Sequence, residues 1–491
     1  MYKVDNDLLS IQEARICIER AREAAVELLS FSQQELDDIV EQISTSIEAF
    51  SDRLAEQAVE ETGYGCLKDK KIKNRFICSY LPKKLRNERY VGVLKEDQLN
   101  KTMDIGIPIG PIVCIPPATS PTATTIHNVL IAIKAGNPII VAPHPRAKLV
   151  IQQTVELLCK AGAEAGLPEG TIQCMQMVSL SGTKELIDHE DSALTIITGV
   201  PKLLPIAKNA AKPFIYGGSG NGPVFLERSC DVKQAVTDII ASRTFDHGIV
   251  SAAEQSIVVD GPILNHVKEE FTKQGTYFID RQEAAALEKI LFDHDQTVNA
   301  EAVGISAVSL AKLAGLTVPK ETKLLIYEQE YVSDSNPFTQ ELLCPVVALY
   351  VEEDWQHACE KCIELLVENG KSHTLVIHSK DEAVIREFAL KKPVSRVLVN
   401  TPSTFGGMGA TTNLFPSMTL GSVALGNDEA SDNISPRHLT HIRKVGYGVR
   451  MISDCLDQPS NQMTQALTKN EENTDFDEIG AVIRRMIEIM E

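Results

Sequence analysis

Residues 243–256 read RTFDHGIVSAAEQS and place one hydroxyl, Ser251, among small and apolar neighbours. A serine hydroxyl is a weak nucleophile and attacks a carbonyl only when a base removes its proton. Ile249, Val250, Ala252 and Ala253 supply no base, and Glu254 is the one acid close by in sequence. GIVSAAE is not the G-x-S-x-G elbow of a serine hydrolase. A second group, GGSGNG at residues 217–222, follows a strand-like run. It fits neither G-x-G-x-x-G at the head of a βα unit nor a Walker lysine pattern. Phosphate binding and a tight turn needing positive φ explain it equally well. Cys359 and Cys362 form C-x-x-C inside the helical run WQHACEKCIELLVENG. Without a second pair or a loop histidine they read as helix residues one turn apart, and no metal site is expected.

These groups need elements to hold them. Residues 8–60 carry helical periodicity, with Ser32 and Glu35 spaced as a capping box. Residues 88–107, ERYVGVLKEDQLNKTMDIGI, read as a hairpin. From Pro108 onward short apolar strands alternate with helices: IGPIVCIPP, then SPTATTIHNVLIAIKAG with proline early and Gly136 at its end, then NPIIVAPHP and further pairs. That alternation predicts an α/β fold with doubly wound parallel sheets. Ligands in such sheets bind beyond the carboxyl ends of the strands, here PHPR (143–146), ITGVP (197–201) and YGGSGNGP (216–223). A second α/β stretch follows Asp231, with strands at SIVVD, TKLLIYE, PVVALYV, HTLVIHS and SRVLVN.

Several long motifs in fixed order resemble the CoA-acylating aldehyde dehydrogenases, the group that includes the aldehyde half of bifunctional aldehyde–alcohol dehydrogenases. They are residues 120–148, ITGVP, GGSGNGPVF, RTFDHGIVSAAEQS, NPFTQELLCPVVALY and NTPSTFGGMG. The resemblance runs over residues 8–455. It implies an aldehyde dehydrogenase-like fold: N-terminal helices (1–87), an oligomerisation hairpin (88–107), an NAD-binding domain (108–228), a catalytic domain (229–425) and a C-terminal oligomerisation segment (426–456). It implies a short-chain aldehyde such as acetaldehyde, CoA as co-substrate, NAD as cofactor, and a homodimer or larger homo-oligomer. Arg146 and Lys148 leave NADP open as well. By matching position His144 lies near the adenine ribose, and Thr198 and Gly199 beside the pyrophosphate. Gly218, Gly220 and Asn221 belong to the glycine-rich cofactor segment, Glu341 holds the nicotinamide ribose, and His373 stands near the active site. Hydrolytic members carry a glutamate base for water at about Gly217, so its absence resembles the acylating branch.

The frame of Phe245, Asp246, Gly248 and Glu254 matches that family, but three positions depart from it. Ser251 stands where the family has its nucleophilic cysteine. Ser120, in TSPT, stands where an asparagine amide helps hold the oxyanion. LGSVALGN (420–427) replaces a segment containing cysteine and tryptophan. Two readings follow: a CoA-dependent aldehyde dehydrogenase, with its cysteine replaced deliberately or with altered chemistry, or a catalytically inactive homologue with a structural or regulatory role.

The C-terminus adds a polar linker (457–474) and a helix-like segment (475–491). Phe476, Ile479, Val482, Ile483, Met486, Ile487 and Met490 line one face of that segment. It resembles the encapsulation peptides that direct cargo to a bacterial microcompartment shell. Docking on the protein's own body is the other reading. The net charge of -19 argues against nucleic acid as a partner. The chain contains no run of 18 apolar residues, and its acidic start does not read as a signal peptide, so no membrane is expected and the cytoplasm is the expected compartment. Eleven cysteines without a framework fit a reduced environment.

Overall fold

The computed structural model describes residues 5–218, 220–293, 297–333, 336–368, 372–421, 430–452 and 455. The linker at 457–474, the amphipathic segment at 475–491 and most of LGSVALGN lie outside the described residues. The chain forms two compact units, residues 1–94 with 105–443, and residues 95–104 with 444–491.

The helices α1 (Asn6–Leu28), α2 (Gln33–Glu48) and α3 (Ser51–Thr62) form where periodicity places them, and Ser32 and Glu35 make the capping box of α2. The short helices α4 (Leu67–Arg75) and α5 (Leu81–Leu85) follow. The predicted hairpin is present as β1 (Gly92–Asp97) and β2 (Thr102–Pro108).

A five-stranded sheet contains β3 (Ile112–Ile115), β4 (Ile139–Val141), β5 (Ile172–Cys174), β6 (Leu194–Thr198) and β7 (Phe214–Gly217). Its order is β5-β4-β3-β6-β7, and every pairing is parallel. Alternate residues feed two cores. Ile112, Cys114, Ile139 and Val141 enter one; Val113, Ile115 and Ile140 enter the other. Burial on both faces explains the near-continuous apolar strand runs. Helix α6 (Pro121–Lys134) is buried along its whole length beside this sheet, with Pro121 in its first turn. Gly136, at φ 74°, ends it. Helix α7 (Lys148–Glu164) packs against α2 and α6.

A seven-stranded parallel sheet contains β8 (Pro223–Leu226), β9 (Ser256–Asp260), β10 (Thr276–Ile279), β11 (Leu324–Glu328), β12 (Val346–Glu352), β13 (Thr374–His378) and β14 (Arg396–Val399). Its order is β10-β11-β12-β9-β8-β13-β14. Two positions differ from the sequence reading. The strand β10 was not foreseen. Pro223–Leu226, assigned with the first α/β stretch, pairs with β9 and β13, so the passage between sheets falls at 218–222 and not after 228. The strand β15 (Thr440–Gly446) joins the hairpin in a three-stranded sheet of order β1-β2-β15.

Candidate active site

In the first sheet the strand order reverses between β3 and β6, the point at which open α/β sheets bind ligands. Pro117 and Ser120 beyond β3, and Thr198 and Gly199 at the end of β6, line a cleft of about 510 Å³. The opposite wall comes from the amino ends of the second sheet: Val250 and Ser251 before β9, and Gln340, Glu341 and Leu343 before β12. The rule of carboxyl ends therefore locates one wall only.

The glycine-rich segment is where the chain crosses from β7 to β8. Close approach accounts for Gly217, Gly220 and Gly222, and neither Gly217 nor Gly222 has a positive φ. A Cβ on Gly220 would fall 1.4 Å from the Ser251 carbonyl oxygen, and one on Gly222 would fall 2.2 Å from that of Thr374. A Cβ on Gly217 would meet Thr419 Cγ2 at 2.7 Å, so a glutamate does not fit there without a shift.

Ser251 is half-buried, and its neighbours in sequence provide no base, but the fold does. His373 Nε2 lies 3.2 Å from Ser251 Oγ across 122 residues of chain. Nδ1 of that ring meets Thr374 Oγ1 at 2.7 Å. Thr374 Oγ1 and the His373 carbonyl accept from Arg396 Nη1 at 3.2 and 3.1 Å. Burial, reinforced by the Arg396 charge, holds His373 well below the usual histidine range. The ring is therefore neutral, and the same burial and charge make it a weak base. Glu254 does not serve Ser251. Its Oε1 accepts from Ser403 N at 2.9 Å, and burial raises the carboxyl to about 7 against the hydrogen bonds from Ser242 and Ser403.

Ser120 is the residue before α6, yet its side chain does not cap the helix. Its Oγ accepts from Lys73 Nζ at 2.6 Å. Lys73 and Lys70 both pair with the buried Asp246, at 2.5 and 3.1 Å. Burial and the neighbouring Lys73 charge push Lys70 down to about 8. Burial alone would raise the Asp246 carboxyl, but Lys73 and Lys70 hold it below the usual range. Asp246 and His247 are left-handed at φ 49° and 55°, a costly conformation for residues other than glycine. Asp246 N donates to Asp69 Oδ2 at 2.7 Å, and Cys66 N donates to Asp246 Oδ1 at 2.7 Å, which pins this turn just ahead of Ser251.

Among the remaining sequence-derived residues, Gly218 and Asn221 line the cleft. Glu341 accepts from Gly220 N at 2.7 Å. Asn221 donates to the Thr339 carbonyl at 2.6 Å, while its buried Oδ1 has no hydrogen-bond partner among the described residues. His144 is not among the cleft-lining residues. It follows β4 and accepts from Arg146 N at 3.1 Å. Sequence reasoning missed Lys70, Lys73, Thr374 and Arg396. No cysteine is among the described residues lining the cleft, and burial pushes Cys344, next to it in sequence, up to about 12.

Residues 8–279 match the aldehyde dehydrogenase family. The chain is 36% identical over 441 residues to the bifunctional aldehyde-alcohol dehydrogenase AdhE of Escherichia coli K12, covering 89% of this chain and 49% of that protein, so it spans about half the length of that relative. The structure superimposes on a probable aldehyde dehydrogenase of Listeria monocytogenes EGD-e with a TM-score of 0.90 at 44% identity, covering 92% of this chain and 100% of that one. An acetylating aldehyde dehydrogenase of Geobacillus thermoglucosidasius gives 0.89 at 38% identity, covering 91% and 99%. With these matches running along nearly all of the chain, and with both sheets and the cleft in place, the protein belongs to the aldehyde dehydrogenase family.

Proposed function

We propose that the chain interconverts a short, uncharged aldehyde plus CoA with the acyl-CoA, exchanging a hydride with NAD. The observation that carries this reading is Ser251 on the cleft wall with the buried His373 3.2 Å behind its hydroxyl. His373 takes the Ser251 proton as the oxygen attacks the carbonyl carbon. The Ser120 oxygen accepts from Lys73, which leaves its hydroxyl proton to donate to the developing oxyanion in place of the missing amide.

The residues present fit a dinucleotide. Thr198, Gly199, Gly218 and Glu341 line the cleft, as the resemblance requires of residues beside a pyrophosphate and a ribose, and the buried Asn221 Oδ1 has no partner among the described residues. When bound, the dinucleotide accepts or returns the hydride. Arg146 is already held by Glu301 at 2.6 Å and stacks on Tyr64, which favours NAD over NADP. Ile249, Val250, Met408, Met418 and Leu420 give the cleft an apolar lining suited to a short uncharged chain. The exposed side chains of Val93, Ile442 and Val449 support a homo-oligomer. The apolar stripe of 475–491 supports docking to a microcompartment shell. A fluorescent protein carrying residues 475–491 is expected to concentrate in assembled shells, and diffuse signal counts against that role.

The activity test follows NADH formation from acetaldehyde or propionaldehyde, CoA and NAD. The chain is expected to be slow, Ser251→Ala inactive, and Ser251→Cys about 100-fold faster or more, since a thiol is partly ionised near neutrality and a serine is not. No activity from either the chain or Ser251→Cys, with NAD still raising the melting temperature, establishes the non-catalytic reading instead.

A further inference from the structure

We infer that the same cleft hydrolyses acyl-CoA without any dinucleotide, through an acyl ester on Ser251. The inference rests on the reading that acyl-CoA enters this cleft. In the tautomer with the proton on Nδ1, donated toward Thr374 Oγ1, the Nε2 lone pair of His373 faces the Ser251 hydroxyl at 3.2 Å. Ser251 Oγ attacks the thioester carbonyl while Nε2 takes its proton. The C–S bond then breaks, CoA leaves as a thiolate, and the imidazolium returns the proton to it. A thiolate leaves readily without prior protonation, so a neutral, weakly basic histidine suffices for this step.

Oxygen in place of sulfur decides what happens next. A thioester transfers its acyl group to an alcohol downhill, so the return to CoA from acyl-Ser251 runs uphill. With no nicotinamide present, water is the remaining acceptor. The histidine that took the serine proton takes one from water, water oxygen bonds to the acyl carbon, and the C–Oγ bond breaks with the proton passed to Ser251. The sum is acyl-CoA plus water giving the carboxylic acid and CoA. A glutamate at position 217 is not required, because His373 serves both half-reactions. The Ser120 hydroxyl, with its oxygen held by Lys73 Nζ at 2.6 Å, serves both tetrahedral intermediates.

The position of His373 gives this activity a signature. Burial and Arg396 keep the ring neutral well below the usual histidine range. The rate therefore stays level from pH 8 down through pH 6, about where an ordinary histidine base with a pKa near 6.5 loses activity.

The test uses the full chain, freed of dinucleotide, with acetyl-CoA or propionyl-CoA. Thiol release is followed with a disulfide reagent, and acid-quenched protein is examined by intact mass and peptide mapping. Continuous thiol release, an acyl group on Ser251, and loss of both in Ser251→Ala are expected. His373→Gln is expected to lower the rate by about 100- to 10,000-fold with an unchanged melting temperature. Ser251→Cys is expected to carry its acyl group as a thioester that exchanges with free CoA and that NADH reduces to the aldehyde. Thiol release by Ser251→Ala equal to the parent overturns the inference, as does a rate that falls between pH 8 and pH 6 as for an ordinary histidine. NADH-dependent reduction of acyl-CoA with no thiol release in its absence overturns the hydrolase and leaves the proposed redox function standing. Failure of acyl-CoA to raise the melting temperature overturns both.

Discussion

Sulfur and oxygen differ at one atom of this site, and the residues around it show what the exchange requires. The least replaceable is Asp246, whose carboxylate is buried between two lysine ammoniums. Asp246→Asn leaves both cations without an anion and is expected to cost about 3–5 kcal/mol, measured by denaturant unfolding. Glu254 gives a pH signature of its own. Its pKa is about 7 in the folded chain against an ordinary 4.5, so the folded state binds the extra proton between those values. Stability therefore falls as pH rises from 4.5 to 7, by up to about 3 kcal/mol, and is level above. Glu254→Gln is expected to flatten that slope and to gain on the parent between pH 5 and pH 8, measured by melting temperature across that range. Ser251, Ser120 and His373 were legible because each sits in a motif. Lys70 and Lys73 were not, because a lysine-rich helix has the same sequence whether it faces water or a buried carboxylate. The pairing of His373 with Ser251 was out of reach for a similar reason. The two are adjacent in space only, through the parallel register of β8 with β9 and β13.

At the scale of elements, strand and helix alternation was legible because the strands of the two parallel sheets are largely buried and mostly apolar. What alternation did not reveal was sheet membership. β8 reads like a sixth strand of the first sheet, yet the five residues before it carry the chain across the cleft. That crossing explains the glycines better than phosphate binding or turn geometry. Gly220→Ala is expected to displace the Ser251 loop, since its Cβ would lie 1.4 Å from a carbonyl oxygen. A cost of about 1–3 kcal/mol and loss of thiol release are expected, read by melting temperature and by the acyl-CoA assay. Gly166→Ala, whose Cβ would meet nothing within 4 Å, provides a control for strain alone, because its φ is 94°.

For the molecule as a whole, composition and periodicity indicated a large α/β protein, and the order of long motifs indicated the family. The meeting of two sheets, carboxyl ends of one against amino ends of the other, could not be read from either half. It depends on which strands pair across more than a hundred residues. That arrangement seats one hydroxyl where the resemblance implies a thiol, while several of the chain's own thiols are buried elsewhere and Cys455 is exposed. Burial pushes Cys114 and Cys362 up to about 12 and Cys17 up to about 11. The consequence is chemical resistance. Oxidants and alkylating electrophiles select accessible thiolates, and an oxygen nucleophile has no sulfenic, sulfinic or sulfonic state to enter. Treatment with iodoacetamide or hydrogen peroxide is expected to leave acyl transfer by this chain unchanged and to silence its Ser251→Cys variant. Under the proposed serine chemistry, lower reactivity at one atom comes with a site expected to endure oxidative and electrophilic stress.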